Sequence, residues 1–157
     1  MAIKIYIDQG HNPMNPNAGA EGNGLREQDI VYRVGIELAE LLSSNNDFVV
    51  KLSRPNEETQ IGTSNTTSLR ARVEDANSWG ANYFISLHTN ASEIASATGS
   101  EAFAYARDTE AFYLGEDILY WLNQMHPQTR GEQIQGAVYH QGYRNSSRAA
   151  SSSRVRS

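Results

Sequence analysis

The chain reads as a single α/β domain, a twisted and mostly parallel sheet with helices on both faces. Three observations predict this. Short runs rich in β-branched and aromatic residues alternate with longer segments of helical spacing. The order strand, helix, strand, helix, strand calls for right-handed crossovers that lay parallel strands side by side. With 157 residues, the chain has the length of one ordinary domain with its own core.

The elements follow in order. Residues 3–8 alternate Ile3, Ile5 and Ile7 with Lys4 and Tyr6 and predict the first strand. Residues 9–26 hold Pro13, Pro16 and four glycines and predict a long loop, a length that in a compact domain usually has a functional reason. From Glu27 the apolar residues Ile30, Val31, Val34, Leu38, Leu41 and Leu42 follow helical spacing to about Ser43. Glu27 and Asp29 suit the positive end of that helix's dipole. Residues 48–52 predict a short strand and residues 69–77 a second helix, with Thr67 or Ser68 as its cap. Residues 83–87 predict a third strand and residues 100–106 a fourth. Residues 110–125 predict a helix with a stripe of Phe112, Leu114, Ile118, Leu119 and Leu122. Within it, Tyr120 and Trp121 are expected in the core or at an interface.

Composition narrows the function. The formal charge of −5 argues against nucleic acid or an anionic membrane as the main partner. There are no cysteines, so any metal must be held by His, Asp or Glu. No apolar run approaches the ~18 residues of a membrane span. The N-terminus enters a strand directly, and no classical signal peptide is expected. Residues 144–157 carry Arg, Ser, Ala and Asn with a single Val155 and no apolar period, and are expected to be disordered.

Two histidines stand out. His11 follows the first strand through Asp8-Gln9-Gly10, and His88 follows the third. In an open parallel sheet, ligands bind beyond the carboxyl ends of the strands, and both imidazoles fall at that edge. Glu27 sits where the Gly-rich loop gives way to the helix. Singly, each has an ordinary reading: a solvated loop histidine, a hydrogen-bonded strand-end histidine, a helix-opening carboxylate. Together they are the His, His, carboxylate set of catalytic zinc, with a fourth position open to water. The loop itself lacks the pattern of a phosphate-binding loop.

The segments IYIDQGHNP, GAEGNGLREQD, LRARVEDAN, WGANYFISLHTNAS and GSEAFAY, in that order, resemble the zinc-dependent N-acetylmuramoyl-L-alanine amidases of the type-3 amidase family. These occur in cell-wall autolysins, sporulation lysins and phage endolysins. The resemblance covers about residues 2–131. It implies that His11, Glu27 and His88 ligate Zn2+ and that the substrate is peptidoglycan. The bond cut would be the amide between the lactyl group of N-acetylmuramic acid and L-alanine. Asn90, just after the second histidine, is a candidate to orient it or to contact substrate.

The C-terminal part departs from the family. There, a strand resembling Pro-Ala-Val-Leu-Val-Glu carries the glutamate that moves the proton. Here no such strand follows Arg130-Gly131, and no acidic residue follows Glu132. Glu101 is a weak substitute and Glu132 a weaker one. Read one base later from Ala137, permissible codons spell Leu-Tyr-Ile-Ile-Arg-Val-Thr-Gly-Ile-Pro-Ala-Val-Leu, close to the missing segment. Residues 138–157 are therefore expected to result from a single-base frameshift. The organisation expected is a C-terminally incomplete catalytic domain at residues 1–143 and a tail at 144–157. His126 and His140 fit no ligand spacing, and Arg70 and Arg72 suit structural ion pairs.

The reading is a zinc amidase of peptidoglycan impaired by loss of its base. The alternative is a non-catalytic, zinc-containing peptidoglycan-binding protein. Its place of action is the cell wall, reached through lysis or a holin.

Overall fold

The computed structural model describes residues 1–90, 99–125, 133–136 and 150–156, the last two stretches as backbone. The elements in chain order are β1 (Ile3–Gln9), β2 (Glu21–Gly22), β3 (Leu25–Arg26), α1 (Glu27–Ser43), β4 (Phe48–Leu52) and α2 (Asn65–Trp79). They are followed by β5 (Tyr83–Asn90), β6 (Ser100–Ala104), α3 (Glu110–Met125), β7 (Gln133–Gly136) and β8 (Ala150–Arg156). Six strands form one sheet in the order β4-β1-β5-β8-β6-β7, and β2 and β3 form a small hairpin. β4, β1, β5 and β8 run parallel, while β6 is antiparallel to β8 and parallel to β7. The sheet is thus mostly parallel, as expected.

Alternation along the strands divides the core between the two faces. Ile5, Ile7, Ile85 and Leu87 pack with Val31, Leu38, Ala39 and Leu42 of α1 and with Leu114 of α3. Tyr6 and Phe84 turn to the opposite face, where they meet Ala76 and Trp79 of α2 and Ala81. Helices therefore cover both faces, α1 and α3 on one and α2 on the other. The odd face of β1 carries Ile5 and Ile7, and its even face carries Tyr6 and Asp8. That even face becomes important at the site.

Four expectations are corrected. α2 starts at Asn65, with Ser64 as N-cap and Thr67 closing a reciprocal capping box, so neither Thr67 nor Ser68 is the cap. The polar first turn gives no apolar period by which to extend the helix backward. The fourth strand ends at Ala104, and Tyr105 stands exposed beyond it. Tyr120 and Trp121 are not core residues: they stack edge to face on the outer side of α3, 52% and 65% exposed. Lastly, residues 150–156, expected to be disordered, form β8 between β5 and β6. A central strand is held by backbone hydrogen bonds to both neighbours. These need no particular side-chain pattern, which is why apolar period could not reveal it. β7, four residues at the sheet edge paired with β6, is too short for its spacing to be read.

Candidate metal centre

Three segments converge at the carboxyl edge of β1 and β5. Gly10 continues the pairing of β1, its N–H donating to the Leu87 carbonyl at 3.0 Å. A β-carbon on Gly10 would run into the His88 imidazole and that same carbonyl, so only glycine lets the two ligand-bearing segments come this close. His11 follows in the left-handed region at φ 64°. Its carbonyl turns back into the protein while its ring faces the sheet edge. On the other side of the site, β2 and β3 deliver the chain into α1, whose first residue is Glu27.

The geometry is compact. His11 Nε2 lies 3.1 Å from His88 Nδ1 and 3.2 Å from Glu27 Oε1, and His88 Nδ1 lies 3.3 Å from the same carboxylate oxygen. Four ligands at zinc–nitrogen and zinc–oxygen bond lengths of ~2.0–2.1 Å stand about 3.3–3.4 Å apart in a tetrahedron. The observed spacing is close to that edge. Among the described residues, His11, Glu27 and His88 form a group able to share one cation, their donor atoms all within 4.8 Å of one another. The donor chemistry suits zinc: two imidazole nitrogens of borderline softness and one carboxylate.

The carboxylate is fixed at both oxygens. Oε1 accepts from the Thr89 N–H at 2.9 Å, and Oε2 accepts from the Ala20 N–H at 3.2 Å. Burial on its own would raise the Glu27 pKa. The hydrogen bonds of His11 and His88, the proximity of His11 and the Ala20 amide outweigh it and hold the group well below the usual carboxylate range. Glu27 is thus an anion in place, only 6% exposed.

Under these ligands lies a buried polar layer on the even face of β1. Arg72 of α2 donates through Nη1 to Asp8 Oδ1 at 2.6 Å and to the Gln9 carbonyl at 2.7 Å. Through Nη2 it donates to the His11 carbonyl at 2.6 Å and to Asn12 Oδ1 at 3.0 Å. Asp8 Oδ2 accepts from Ser86 Oγ at 2.7 Å. Arg72 thus makes the ion pair expected of it. Asp8, Asn12 and Ser86 were not singled out in the sequence. The available signal was a carboxylate at an otherwise apolar strand end, which must find a buried cation.

The remaining candidates separate. Glu101 is buried on β6. Its neighbour Ala102 meets Gly115 of α3, so Glu101 turns to the face that carries His88. Through Arg154, Glu101 shares a register level with His88, two strands and about 10 Å away at ordinary strand spacing. It is not in the three-donor group. Asn90 closes β5, but its side chain, like Glu132, His126 and His140, lies outside what the structure describes. Among the described residues, no helix is long and apolar enough to cross a membrane.

Fold and site together define an α/β protein with a His, Glu, His cation-binding set at the carboxyl edge of its sheet. Residues 5–154 match the family model for N-acetylmuramoyl-L-alanine amidase, and the chain belongs to that family. The amidase CwlM of Bacillus licheniformis is 38% identical over 104 residues, which are 66% of this chain and 36% of that protein. The sporulation-specific amidase of Bacillus subtilis is 35% identical over the same shares. The chain therefore spans about a third of these relatives. The catalytic domain of CwlV from Paenibacillus polymyxa has a similar fold, with a TM-score of 0.77 at 21% identity, covering 97% of this chain and 79% of that one.

Proposed function

We propose that this chain is the catalytic portion of a zinc-dependent hydrolase. It would cleave the amide between the lactyl group of N-acetylmuramic acid and L-alanine in peptidoglycan, acting at the cell wall. The observation that carries the reading is the spacing of His11 Nε2, His88 Nδ1 and Glu27 Oε1 near a tetrahedral edge. Family membership supports the substrate.

His11, Glu27 and His88 would hold Zn2+ as two neutral imidazoles and one carboxylate. Bound there, zinc supplies Lewis acidity toward the scissile carbonyl and brings the pKa of a water toward ~7. Glu27 cannot also serve as general base. Its oxygens are occupied by the Thr89 and Ala20 amides, and its depressed pKa makes it a poor proton acceptor near neutrality. Proton transfer must fall to another group. Glu101 faces the right side of the sheet but stands two strands from His88. It would act only through a bridging water or the substrate. Residues 133–157 contain no Asp or Glu, and residues 1–157 are proposed to hydrolyse the bond slowly. Residues 138–157 are proposed to be a shifted reading frame, which the codons of the gene decide.

A second reading is favoured by the position of Glu101, which stands two strands from His88 at the same register level and outside the three-donor group. A non-catalytic zinc-containing peptidoglycan-binding protein would look like this. Turbidity of purified cell walls with added zinc separates the two. Slow lysis abolished by chelator, and accelerated when the C-terminal strand is restored, supports the amidase. Wall binding without lysis in either version selects the second reading. Absence of stoichiometric zinc by elemental analysis overturns both.

A further inference from the structure

We infer that Arg72, together with Asp8 and Ser86, is a positioning unit that sets the distance between the two histidines and so tunes cation affinity. This rests on the zinc reading above. It goes beyond an ion pair that merely stabilises the fold.

The argument starts from where the two histidines are attached. Both leave parallel neighbours, β1 and β5, paired Asp8 with Ser86 and Gln9 with Leu87. The Asp8 carboxylate spans that pair through side chains, one oxygen on Ser86 Oγ and the other on Arg72 Nη1. Ser86 is two residues before His88 on the same face of β5. Asp8 is three before His11. A single carboxylate therefore ties the base of one ligand segment to the base of the other.

Arg72 then continues past the strand. Its second amino group holds the His11 carbonyl itself, and the Asn12 side chain beside it. Asn12 in turn accepts from the Ile61 N–H at 3.1 Å and donates to the Pro16 and Ile61 carbonyls at 2.7 and 2.9 Å. His11 has a positive φ, a backbone state that L-residues adopt at a cost and that persists where the surroundings fix it. The planar guanidinium reaches the carbonyls of Gln9 and His11 across Gly10 in one rigid fork. Those two carbonyls bracket the turn that aims the His11 ring. An ammonium could satisfy Asp8 but could not hold both ends of the turn in a fixed plane. On the side away from the other two donors the His11 imidazole has no brace: Nδ1 is buried and has no hydrogen-bond partner among the described residues. Its orientation therefore depends on the backbone beneath it.

The test is Arg72→Lys, compared with Tyr6→Phe. The Tyr6 hydroxyl bonds Asp75 on the same face of the sheet, at 2.7 Å, and among the described residues it makes no hydrogen bond to Asp8, Arg72 or either histidine. Zinc affinity is read by competition with a chromophoric chelator. Ligand geometry is read from the d–d spectrum of the Co2+ form, and folding from thermal unfolding of the metal-free chain. The expected result is a folded R72K whose zinc affinity falls about 10–100-fold, the usual effect of losing a group that orients a ligand. Its Co2+ bands should be shifted or weakened. Y6F should lose thermal stability while keeping affinity within twofold and an unchanged Co2+ spectrum.

If R72K does not fold, Ser86→Ala provides the same reading, with a smaller fall in affinity expected and the same direction of spectral change. The inference is overturned if folded R72K or S86A binds zinc as tightly as wild type with the same spectrum. It is also overturned if affinity falls equally in Y6F at matched stability. A wild-type chain that takes up no zinc or Co2+ overturns the zinc reading and this inference with it.

Discussion

The described side chains of the two halves of the sheet differ in kind. Around β1, β4 and β5, strand pairing is backed by side chains on both faces: an aliphatic cluster under α1 and a buried charged layer under α2. In the other half, β8 pairs with β5 and β6 and β7 extends the edge beyond β6, and among the described side chains α3 packs on β6 through small residues, Ala102 against Gly115. The donors that would grip a cation all lie in the first half, between His11 and His88. The position from which this family delivers its proton lies in the second. On the function proposed above, holding the cation and moving the proton would then be separable, and damage to one need not reach the other.

The sharpest way to break this comparison is a pair of substitutions, one in each half. His88→Ala removes a donor that lies 3.1–3.3 Å from both others. A two-donor remainder should lose zinc affinity by at least ~100-fold in chelator competition, given that even indirect partners cost 10–100-fold. Glu101→Gln, at the same register level but in the second half, should leave affinity within twofold. If it also leaves any residual wall lysis unchanged, Glu101 has no part in proton transfer. An E101Q chain that loses zinc would join the two halves into one site and end the separation.

The same division explains what the sequence made legible. His11 and Glu27 could be grouped because each sits at a junction of element types, strand to loop and loop to helix; His88 joins them from within β5, which runs on to Asn90 and not only to Leu87 as expected. The aliphatic periods of α1 and β1 gave the first half its outline. Arg72 was visible as a charged residue on a helix, yet its partners were hidden. Nothing in the spacing of Asp8, Asn12 and Ser86 says that one guanidinium gathers them. β8 was hidden more deeply. Its seven residues, ASSSRVR, carry no alternation, and only the vacant pairing edges of β5 and β6 give them a conformation. For Tyr120 and Trp121 the core alternative fails because only the face of α3 toward β6 and β8 is covered, which leaves the interface alternative.

A middle-sized effect probes the charged layer. Asp8→Asn keeps the shape but leaves Arg72, 2% exposed, without its counter-charge. Removing one partner of a buried pair costs about 3–5 kcal/mol, to be measured by urea unfolding near neutral pH. The pH dependence has a definite sign. Burial opposes ionisation of Asp8, but Arg72 and the hydroxyls of Ser86 and Ser53 outweigh it and hold the pKa below its ordinary value. A depressed carboxylate contributes stability that is complete above its unfolded pKa of about 3.9 and is lost as pH falls through the folded one. The gap between wild type and D8N should therefore be constant from about pH 5 to 7 and close below about pH 4. A gap that widens on acidification would contradict this assignment.

The smallest effect tests whether stability alone can mimic a change at the site. Ser64 caps α2, accepting from the Thr67 N–H at 3.1 Å, while the Thr67 hydroxyl accepts from the Ser64 N–H at 2.8 Å. Ser64→Ala removes one half of this exchange and exposes an amide to solvent, at a cost of about 1 kcal/mol. α2 also carries Arg72, two turns further on, so a loose coupling between helix stability and the metal ligands would appear here first. The cap is exposed, whereas Arg72 is held by six separate acceptors deep in the protein. Fraying of the first turn should stop before reaching it. Thermal unfolding should shift by a few degrees while zinc affinity stays within twofold. A tenfold loss of zinc affinity in S64A would mean that any loosening of α2 disturbs His11, and the distinction between a brace for the ligand and a brace for the fold would disappear.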